Sequence, residues 1–270
     1  MSPLRGGLLL MQGAGANVIA MPDADGVVMV DGGLASHSAG LLDAMRRETG
    51  AEVRTLFNTH WHPEQTGSNV PLGKAGATII AHENTRLWLT TDVTWPWAPE
   101  HTFPPLPPEG QPNQTFYTEG ELDSARGAIR YGYLPKAHTD GDIYVHFERA
   151  NVLAAGGAVT GKGWAFIDWW TGAWIGGLVD AQAKLLEIAD AQTLIVPADG
   201  PVVDRAELEA QHEMYATVYE RLRDLLRSGR SPDEAIAAEP TKEFDAKMGD
   251  PREFVRRAFE SLWGPMSPDA

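Results

Sequence analysis

The chain has no cysteine among its 270 residues. This absence excludes disulfide bonds, zinc–thiolate sites and a cysteine nucleophile. Any bound metal ion must therefore be held by histidine, aspartate or glutamate. Hydrophobic residues make up 43% of the chain and charged residues 22%, ordinary proportions for a folded globular protein. We expect a single domain over residues 1–270, because chains of this length commonly form one.

Basic residues are scarce, 22 against 37 acidic ones, and the formal net charge is −15. Nucleic acids and anionic membranes are bound through basic faces, so the charge argues against both as partners. It leaves a small-molecule substrate as the expected partner and a homodimer open. The N-terminal segment has only the short apolar run 8–11, too little for a signal peptide or a membrane span. We therefore expect a cytoplasmic protein.

Short apolar runs bounded by Gly, Pro or Asp predict β-strands, and they alternate with helical patterns. Such alternation favours α/β layering. The helix over 36–50 is expected to begin at a serine cap and to end at Gly50, and the helix over 231–238 to begin with Ser231 as cap and Pro232 in its first turn. The predicted strands are 7–13, 16–21, 26–33, 53–60, 77–82, 115–118, 127–134, 142–147, 151–157 and 193–200. The other predicted helices are 83–90, 205–228 and 251–263, and residues 264–270 are expected to be a frayed tail.

Prolines are concentrated between Trp95 and Gln114, where seven of them accompany two tryptophans. Proline interrupts helices and central strands, so residues 95–114 are predicted to form a long loop. A loop of that length is often a functional lid. A surface strap packed on its own prolines and aromatic residues is the alternative.

The stretch NTHWHPEQTGSN, residues 58–69, follows a predicted strand and contains two histidines one residue apart. Alternate residues of an extended segment can turn toward one point, so His60 and His62 can share a metal ion. His138, in KAHTDGD, is the best candidate for a third ligand. Three imidazoles leave one zinc coordination position open, as in catalytic sites. The other histidines are interpreted as surface or hydrogen-bonded core residues: His37, His82, His101, His146 and His212.

Four segments in this order, VMVDGG, FNTHWHPEQTGSN, AHTDGD and IVPADG, resemble the landmarks of the metallo-β-lactamase fold superfamily. The resemblance covers most of residues 7–204. It implies an αββα sandwich, with a metal site at one edge between two sheets, and hydrolase activity. It also implies that His60, His62 and His138 form the first metal position. Asp31, at the end of VMVDGG, would support the metal loop from behind.

Four positions depart from the family pattern, which has Asp then His in the metal loop, a later bridging Asp and a final His. This chain has Glu64 and Gln65 in the loop, Gly157 at the bridging position and Asp199 at the last. The second metal position has therefore lost its usual ligands. We expect one zinc ion; a weak second site on the oxygens of Glu64 and Asp199 is the alternative.

Glu64 is the predicted catalytic base, since a carboxylate near the ion can accept a proton from water and pass it to a leaving group. Asp199 and Asp140 are the substitutes. The alternative for Glu64 is a carboxylate that stabilises a helix N-terminus. Gln65 is predicted to hydrogen-bond substrate or water, or else to cap the following turn.

Tryptophans are dense near the expected metal loop, and they could line an apolar or aromatic substrate pocket. Packing of the sandwich edge or of a dimer interface explains them equally well. The residues assigned to substrate binding on this ground are Trp61, Trp164 and Trp169.

Two other reaction classes find little support. GGAVTGKG, residues 156–163, has Gly163 where a phosphate-binding loop needs a hydroxyl for magnesium, and Gly-x-Ser-x-Gly is absent. The sequence therefore predicts a zinc-dependent hydrolase that acts on an ester, lactone or amide through metal-bound hydroxide. A degenerate ligand-binding member of the fold is one alternative, and a metal-dependent lyase or isomerase is another.

Overall fold

A computed structural model describes residues 1–263 of the chain. Fourteen strands and nine α-helices are present in this part. The strands are β1 (Ser2–Pro3), β2 (Leu9–Met11), β3 (Val18–Asp23), β4 (Gly26–Val30), β5 (Val53–Phe57), β6 (Thr78–His82), β7 (Val93–Trp95), β8 (Ala98–Phe103), β9 (Gln114–Phe116), β10 (Glu119–Leu122), β11 (Ile129–Tyr133), β12 (Ile143–Phe147), β13 (Val152–Gly156) and β14 (Leu194–Pro197). The helices are α1 (Ser38–Thr49), α2 (Pro63–Thr66), α3 (Asn69–Lys74), α4 (Glu83–Leu89), α5 (Ile175–Ile188), α6 (Arg205–Arg227), α7 (Pro232–Ala237), α8 (Asp245–Met248) and α9 (Arg252–Glu260).

The strands form two main sheets. The first has the order β1-β2-β3-β4-β5-β6-β9; its β1 to β4 are antiparallel, and β4, β5, β6 and β9 run parallel. The second has the order β10-β11-β12-β13-β14, antiparallel except for the last pair. Both sheets end in loops along one edge, where the histidine-bearing segments follow β5 and precede β12.

Three apolar clusters hold the layers together. The central cluster lies between the sheets and joins residues such as Ile19 and Phe57 to Ile129 and Val145. A second cluster packs α1 against the outer face of the first sheet. A third packs α5, α6 and α9 against the outer face of the second sheet. The expected αββα sandwich is therefore confirmed, and the buried apolar area between the layers is its main source of stability.

The helix ends follow the predicted pattern in part. Gly50, in the left-handed region with φ of 70°, ends α1 as expected. The serine cap of α1 was wrong, because a 3₁₀ turn at Ala35–His37 leads into Ser38 and no side chain caps the helix. Ser231 caps α7 in a reciprocal capping box with Glu234, with Pro232 in the first turn.

Four strands, β1, β7, β8 and β10, and four helices, α2, α3, α5 and α8, went unpredicted. The segment 95–114 is not a loop throughout: β7 and β8 form a hairpin that turns at Pro96 and Trp97 and belongs to neither main sheet. Prolines are tolerated there because edge strands leave backbone groups unpaired. The helix α5 has two glycines in its first turn, which obscure its helical pattern. The frayed tail expected at 264–270 lies outside the described residues.

Among the described residues, no helix combines the length and apolar character that crossing a bilayer requires.

Close backbone packing holds the histidine-bearing loop after β5 in place. Gly67, just after α2, donates its N–H to the carbonyl of Gly33 at 2.9 Å. A Cβ built at Gly67 would lie closer than 3.0 Å to three backbone atoms of the segment 33–35. Only glycine therefore allows the segment after β5 to lie directly on the segment after β4.

We predict that Gly67→Ala lowers the free energy of unfolding by about 1–3 kcal/mol, the usual cost of inserting an atom into closely packed structure. Urea denaturation followed by circular dichroism would measure the change. Gly40→Ala is the matched control: Gly40 lies in α1, a Cβ there has open space, and alanine should stabilise the helix by up to about 1 kcal/mol. An equal response of both variants would contradict the close approach.

Candidate metal centre

The loop that follows β5 places two histidines at the edge of the sandwich. The N–H of Asn58 donates to the carbonyl of Ile80, which extends the pairing of β5 with β6 by one residue. The side-chain amide of Asn58 donates to Asn69 Oδ1 and to the carbonyl of Gln65, tying the loop to α3. These buried hydrogen bonds hold the loop in one shape before any ligand is considered.

His60, His62 and His138 come together as the sequence predicted. One ring nitrogen from each lies within 4.8 Å of the others. The ring centres are 4.5 to 4.8 Å apart. Only 1%, 5% and 9% of the three residues is exposed. The cluster is thus compact and almost closed to solvent.

The outer ring nitrogen of each histidine is the one that points away from the centre of the cluster. For His60 this is Nδ1, and a chain of hydrogen bonds that begins at Asp31 holds it. One carboxylate oxygen of Asp31 accepts from the N–H of Thr59 at 2.8 Å, and the other accepts from its hydroxyl at 2.8 Å. The hydroxyl oxygen can then accept from Nδ1 of His60, 3.1 Å away. This places the proton on Nδ1 and leaves Nε2 with a free lone pair.

Asp31 lies next to the loop after β5, hydrogen-bonded to Thr59. It adopts a left-handed φ of 63°, an uncommon conformation for a residue with a side chain. Burial raises its pKa to about 7, although the hydrogen bonds from Thr59 oppose that shift. Two hydrogen bonds to one neighbour explain why the backbone is kept in this conformation.

The outer nitrogens of the other two rings are also engaged. Nε2 of His62 lies 3.0 Å from Oδ2 of Asp168, and Nδ1 of His138 lies 2.7 Å from the carbonyl oxygen of Phe166. Both oxygens accept, so these nitrogens carry the protons. The lone pairs of His62 Nδ1 and His138 Nε2 therefore face each other across 3.0 Å.

This arrangement fits a metal ion. Two facing lone pairs repel unless a cation lies between them, and zinc bound by two imidazoles in tetrahedral geometry would put their nitrogens about 3.3 Å apart. Burial lowers the pKa of His138 to about 3 and lowers the pKa of His60 well below its usual value. Both rings are therefore neutral at pH 7, the form that binds metals.

Buried carboxylates surround the rings and add to this fit. Asp142 accepts from the backbone N–H of His138 at 2.5 Å and from the N–H and hydroxyl of Thr139, and burial raises its pKa to about 7. Burial works against ionisation of Asp168 as well, but the hydrogen bonds from His62 and Thr171 and the charge interactions with His62 and His138 together outweigh it and hold the pKa of Asp168 below its usual range. Acidic groups so placed favour a cation at the centre of the cluster.

The residues expected at a second metal position lie outside the three-histidine cluster. A Cβ at Gly157 would lie within 3.0 Å of three atoms of His138, so a bridging carboxylate cannot be accommodated without moving that ring. Asp199 is exposed, Glu64 is half-buried in the first turn of α2, and neither is part of the three-histidine cluster. Gln65 is buried next to Glu64.

The predicted substrate-binding tryptophans lie in different surroundings. Trp61 is buried and donates to the hydroxyl of Thr171 at 3.2 Å. Trp169 packs beside Trp97, with ring centres 5.3 Å apart. Trp164 is directed elsewhere: it stacks on Phe254 of α9 at 4.6 Å and helps to pack the C-terminal helices.

Asp168 and Asp142 are the site residues that sequence reasoning missed. Asp142 stands in the quoted segment AHTDGD, where its position four residues after His138 was a usable signal. Asp168, in FIDWW, is 106 residues from His62 along the chain, and no local pattern connects them. Asp140, the substitute base, instead accepts from the indole of Trp88 at 2.6 Å.

A family model described as the metallo-beta-lactamase superfamily matches residues 13–252. The chain belongs to this superfamily. Its fold is similar to a metallo-beta-lactamase from Pontibacter korlensis, with 18% identity and a TM-score of 0.60, covering 77% of this chain and 93% of that one. The metallo-beta-lactamase IND-7 has 18% identity and a TM-score of 0.62, covering 80% and 96%.

The stereoselective inverting sec-alkylsulfatase Pisa1 from Pseudomonas sp. has 17% identity and a TM-score of 0.73 over 95% of this chain. The chain spans about half of that protein, 49% of its length. At such identities these likenesses establish the fold of this superfamily member. The three-histidine cluster is its candidate metal position.

We predict that His60→Ala, His62→Ala and His138→Ala each remove stoichiometric zinc, because a three-ligand site loses most of its affinity with one imidazole. Metal content after dialysis, measured by plasma emission spectrometry, gives the result. His212→Ala, on α6 away from the cluster, should keep the parent's zinc. Full zinc content in two of the three site variants would reject this ligand set.

We predict that Gly157→Asp does not restore a second metal ion. Its Cβ would displace His138, so the variant should bind zinc at least tenfold more weakly than the parent. Gly157→Ala should show the same loss without a new carboxylate, which separates steric from electrostatic effects. Two tight ions per chain in Gly157→Asp, measured by calorimetric titration, would show that the position can accept a bridging ligand.

Proposed function

We propose that this protein is a zinc-dependent hydrolase of a small molecule with an ester, lactone or amide bond, using one ion per chain. The observation that carries the proposal is the convergence of three imidazole lone pairs on one point, each fixed by a hydrogen bond on the outer nitrogen. Three histidine ligands leave a coordination position open, which distinguishes catalytic from structural zinc sites.

Each residue has a definite role in this proposal. His60, His62 and His138 hold the ion, while Asp31 and Asp168 keep two of the rings in the ligating tautomer. When bound, such an ion supplies Lewis-acid chemistry: it polarises a carbonyl and makes water more acidic. Glu64 accepts the proton from water and returns it to the leaving group.

Substrate entry requires movement of the hairpin. The ring of Trp95, at the end of β7, lies 5.8 Å from that of His62, and the ring of Phe166 lies 5.7 Å from both His62 and His138. These rings cover the buried histidines. The hairpin of β7 and β8 joins neither main sheet, so it can open without breaking one. It would thus act as the lid that the proline-rich segment suggested.

A ligand-binding protein without turnover is the competing function. The four substitutions at the family's metal-ligand positions favour the ligand-binding function, because they remove the usual ligands of the second metal position together. The two functions differ in an observable way: a hydrolase requires zinc for turnover of an ester, lactone or amide, whereas a binding protein releases an unchanged ligand. Product analysis by mass spectrometry with zinc-loaded and zinc-free protein distinguishes them.

We predict that Glu64→Gln keeps one zinc ion and a normal fold but lowers kcat by about a hundred- to ten-thousand-fold, the scale of a positioned acid–base group. Glutamine retains the size of the side chain and removes the charge. Glu48→Gln, on the exposed surface of α1, is the control and should leave the rate unchanged.

The outcomes separate three roles for Glu64. Loss of zinc in Glu64→Gln would make it a metal ligand. Full activity would place the base elsewhere, and Asp199→Asn would then be the next variant.

A further inference from the structure

Three buried N–H groups without an acceptor lie together beside the candidate metal centre. Within residues 1–263, Nε1 of Trp97, Nε1 of Trp169 and Nη1 of Arg257 are all buried and make no hydrogen bond. The guanidinium of Arg257 lies 4.3 Å from the ring centre of Trp97, and the rings of Trp97 and Trp169 are 5.3 Å apart. We call Trp97, Trp169 and Arg257 the donor cluster.

Among the described residues, no carboxylate makes a hydrogen bond to Arg257; burial lowers its pKa, although the charges of Glu253, Asp168 and Glu260 act to raise it. Its side chain is 15% exposed, and its ion pair with Glu253 is long, 3.7 Å, to a carboxylate that is 79% exposed. The guanidinium also lies over the ring of Phe166 at 4.6 Å, so aromatic faces take up much of its surroundings. Cation–π contacts stabilise a guanidinium but accept no hydrogen bond in the plane of its N–H groups.

The donor cluster is next to the metal site. Phe166 contacts Arg257 on one hand and the rings of His62 and His138 on the other. Trp97 stacks on Trp95, and Trp95 also lies against His62. Trp97 is at the turn of the hairpin, so opening the lid would uncover the donor cluster and the histidines together.

The missing partner has a definite chemistry. Indole and guanidinium nitrogens only donate, so the group that satisfies all three must be an acceptor. A buried positive charge further selects an anion, and arginine pairs best with oxyanions that can accept two parallel hydrogen bonds. The surrounding aromatic rings favour an anion that is attached to an organic molecule.

We propose that the donor cluster binds an oxyanion, a carboxylate or sulfate group carried by the substrate, and so selects anionic substrates for the metal centre. The use of this anion in substrate selection rests on the proposed function, whereas binding of the anion itself does not. Arg257 supplies the charge, and the indole N–H groups of Trp97 and Trp169 complete the hydrogen bonding.

The test uses sodium benzoate and sodium sulfate as probes, with sodium chloride at matched ionic strength as reference. Tryptophan fluorescence and thermal unfolding are followed in zinc-loaded and zinc-free protein, so that anion binding to the metal is separated from binding to the cluster. We expect saturable binding of at least one probe in both forms. A stronger benzoate response would favour a carboxylate group on the bound molecule, and a stronger sulfate response a sulfate group.

Arg257→Met keeps an unbranched apolar chain against the rings and removes the charge. It should weaken probe binding at least tenfold while its zinc content stays that of the parent. Arg256→Met is the matched control on the same helix: Arg256 pairs with the exposed carboxylate of Asp233, and its loss should leave probe binding unchanged. The double variant Trp97→Phe and Trp169→Phe keeps both rings without their N–H groups and should weaken binding severalfold.

Equal probe binding in the parent and Arg257→Met, or no saturable binding in the parent, would overturn the proposal. If Arg257→Met fails to fold, the double phenylalanine variant decides: unchanged probe binding there would also overturn it. Zinc-dependent turnover of neutral esters with no anion binding would leave the hydrolase standing and reject the donor cluster alone. Anion binding without turnover would support the donor cluster and reject the hydrolase.

Discussion

The repulsion between facing imidazole lone pairs is the constraint on which this molecule depends. His62 Nδ1 and His138 Nε2 lie 3.0 Å apart with their protons on the far sides, a contact that is favourable only with a cation between them. The outer partners, Asp168 for one ring and the carbonyl of Phe166 for the other, prevent either ring from turning its proton inward. The three rings are thus preorganised for a metal ion.

The layered fold allows the three histidines to take this geometry. The loop after β5 and the loop before β12 come from different sheets and meet at one edge of the sandwich, where the core between the sheets ends. Gly67 lies against the backbone of residues 33–35 and Gly157 lies against the side chain of His138, and neither position tolerates a Cβ without movement. The same closeness that positions His138 leaves no space for a larger side chain at Gly157.

The helical layer contributes to the site as well as to stability. Arg257 belongs to α9, which packs on α6 and α7, yet its guanidinium reaches the aromatic residues over the histidines. At the hairpin turn, Trp95 lies against His62 and Trp97 lies under the guanidinium of Arg257. A motion of the hairpin alone would therefore change the solvation of the candidate metal position and of Arg257 at once.

The sequence by itself determined the layered α/β fold, which three histidines cluster, and the role of glycine at the end of α1. These features depend on periodicity, turn chemistry and short motifs. Tertiary structure alone decided what joins distant segments. Asp168 and Arg257 reach the site from 106 residues beyond His62 and from the last helix, and no local pattern records such contacts. The steric restriction at Gly157 and the hairpin within the proline-rich segment likewise depend on neighbours that are distant in the chain, since space and pairing exist only after the layers have packed.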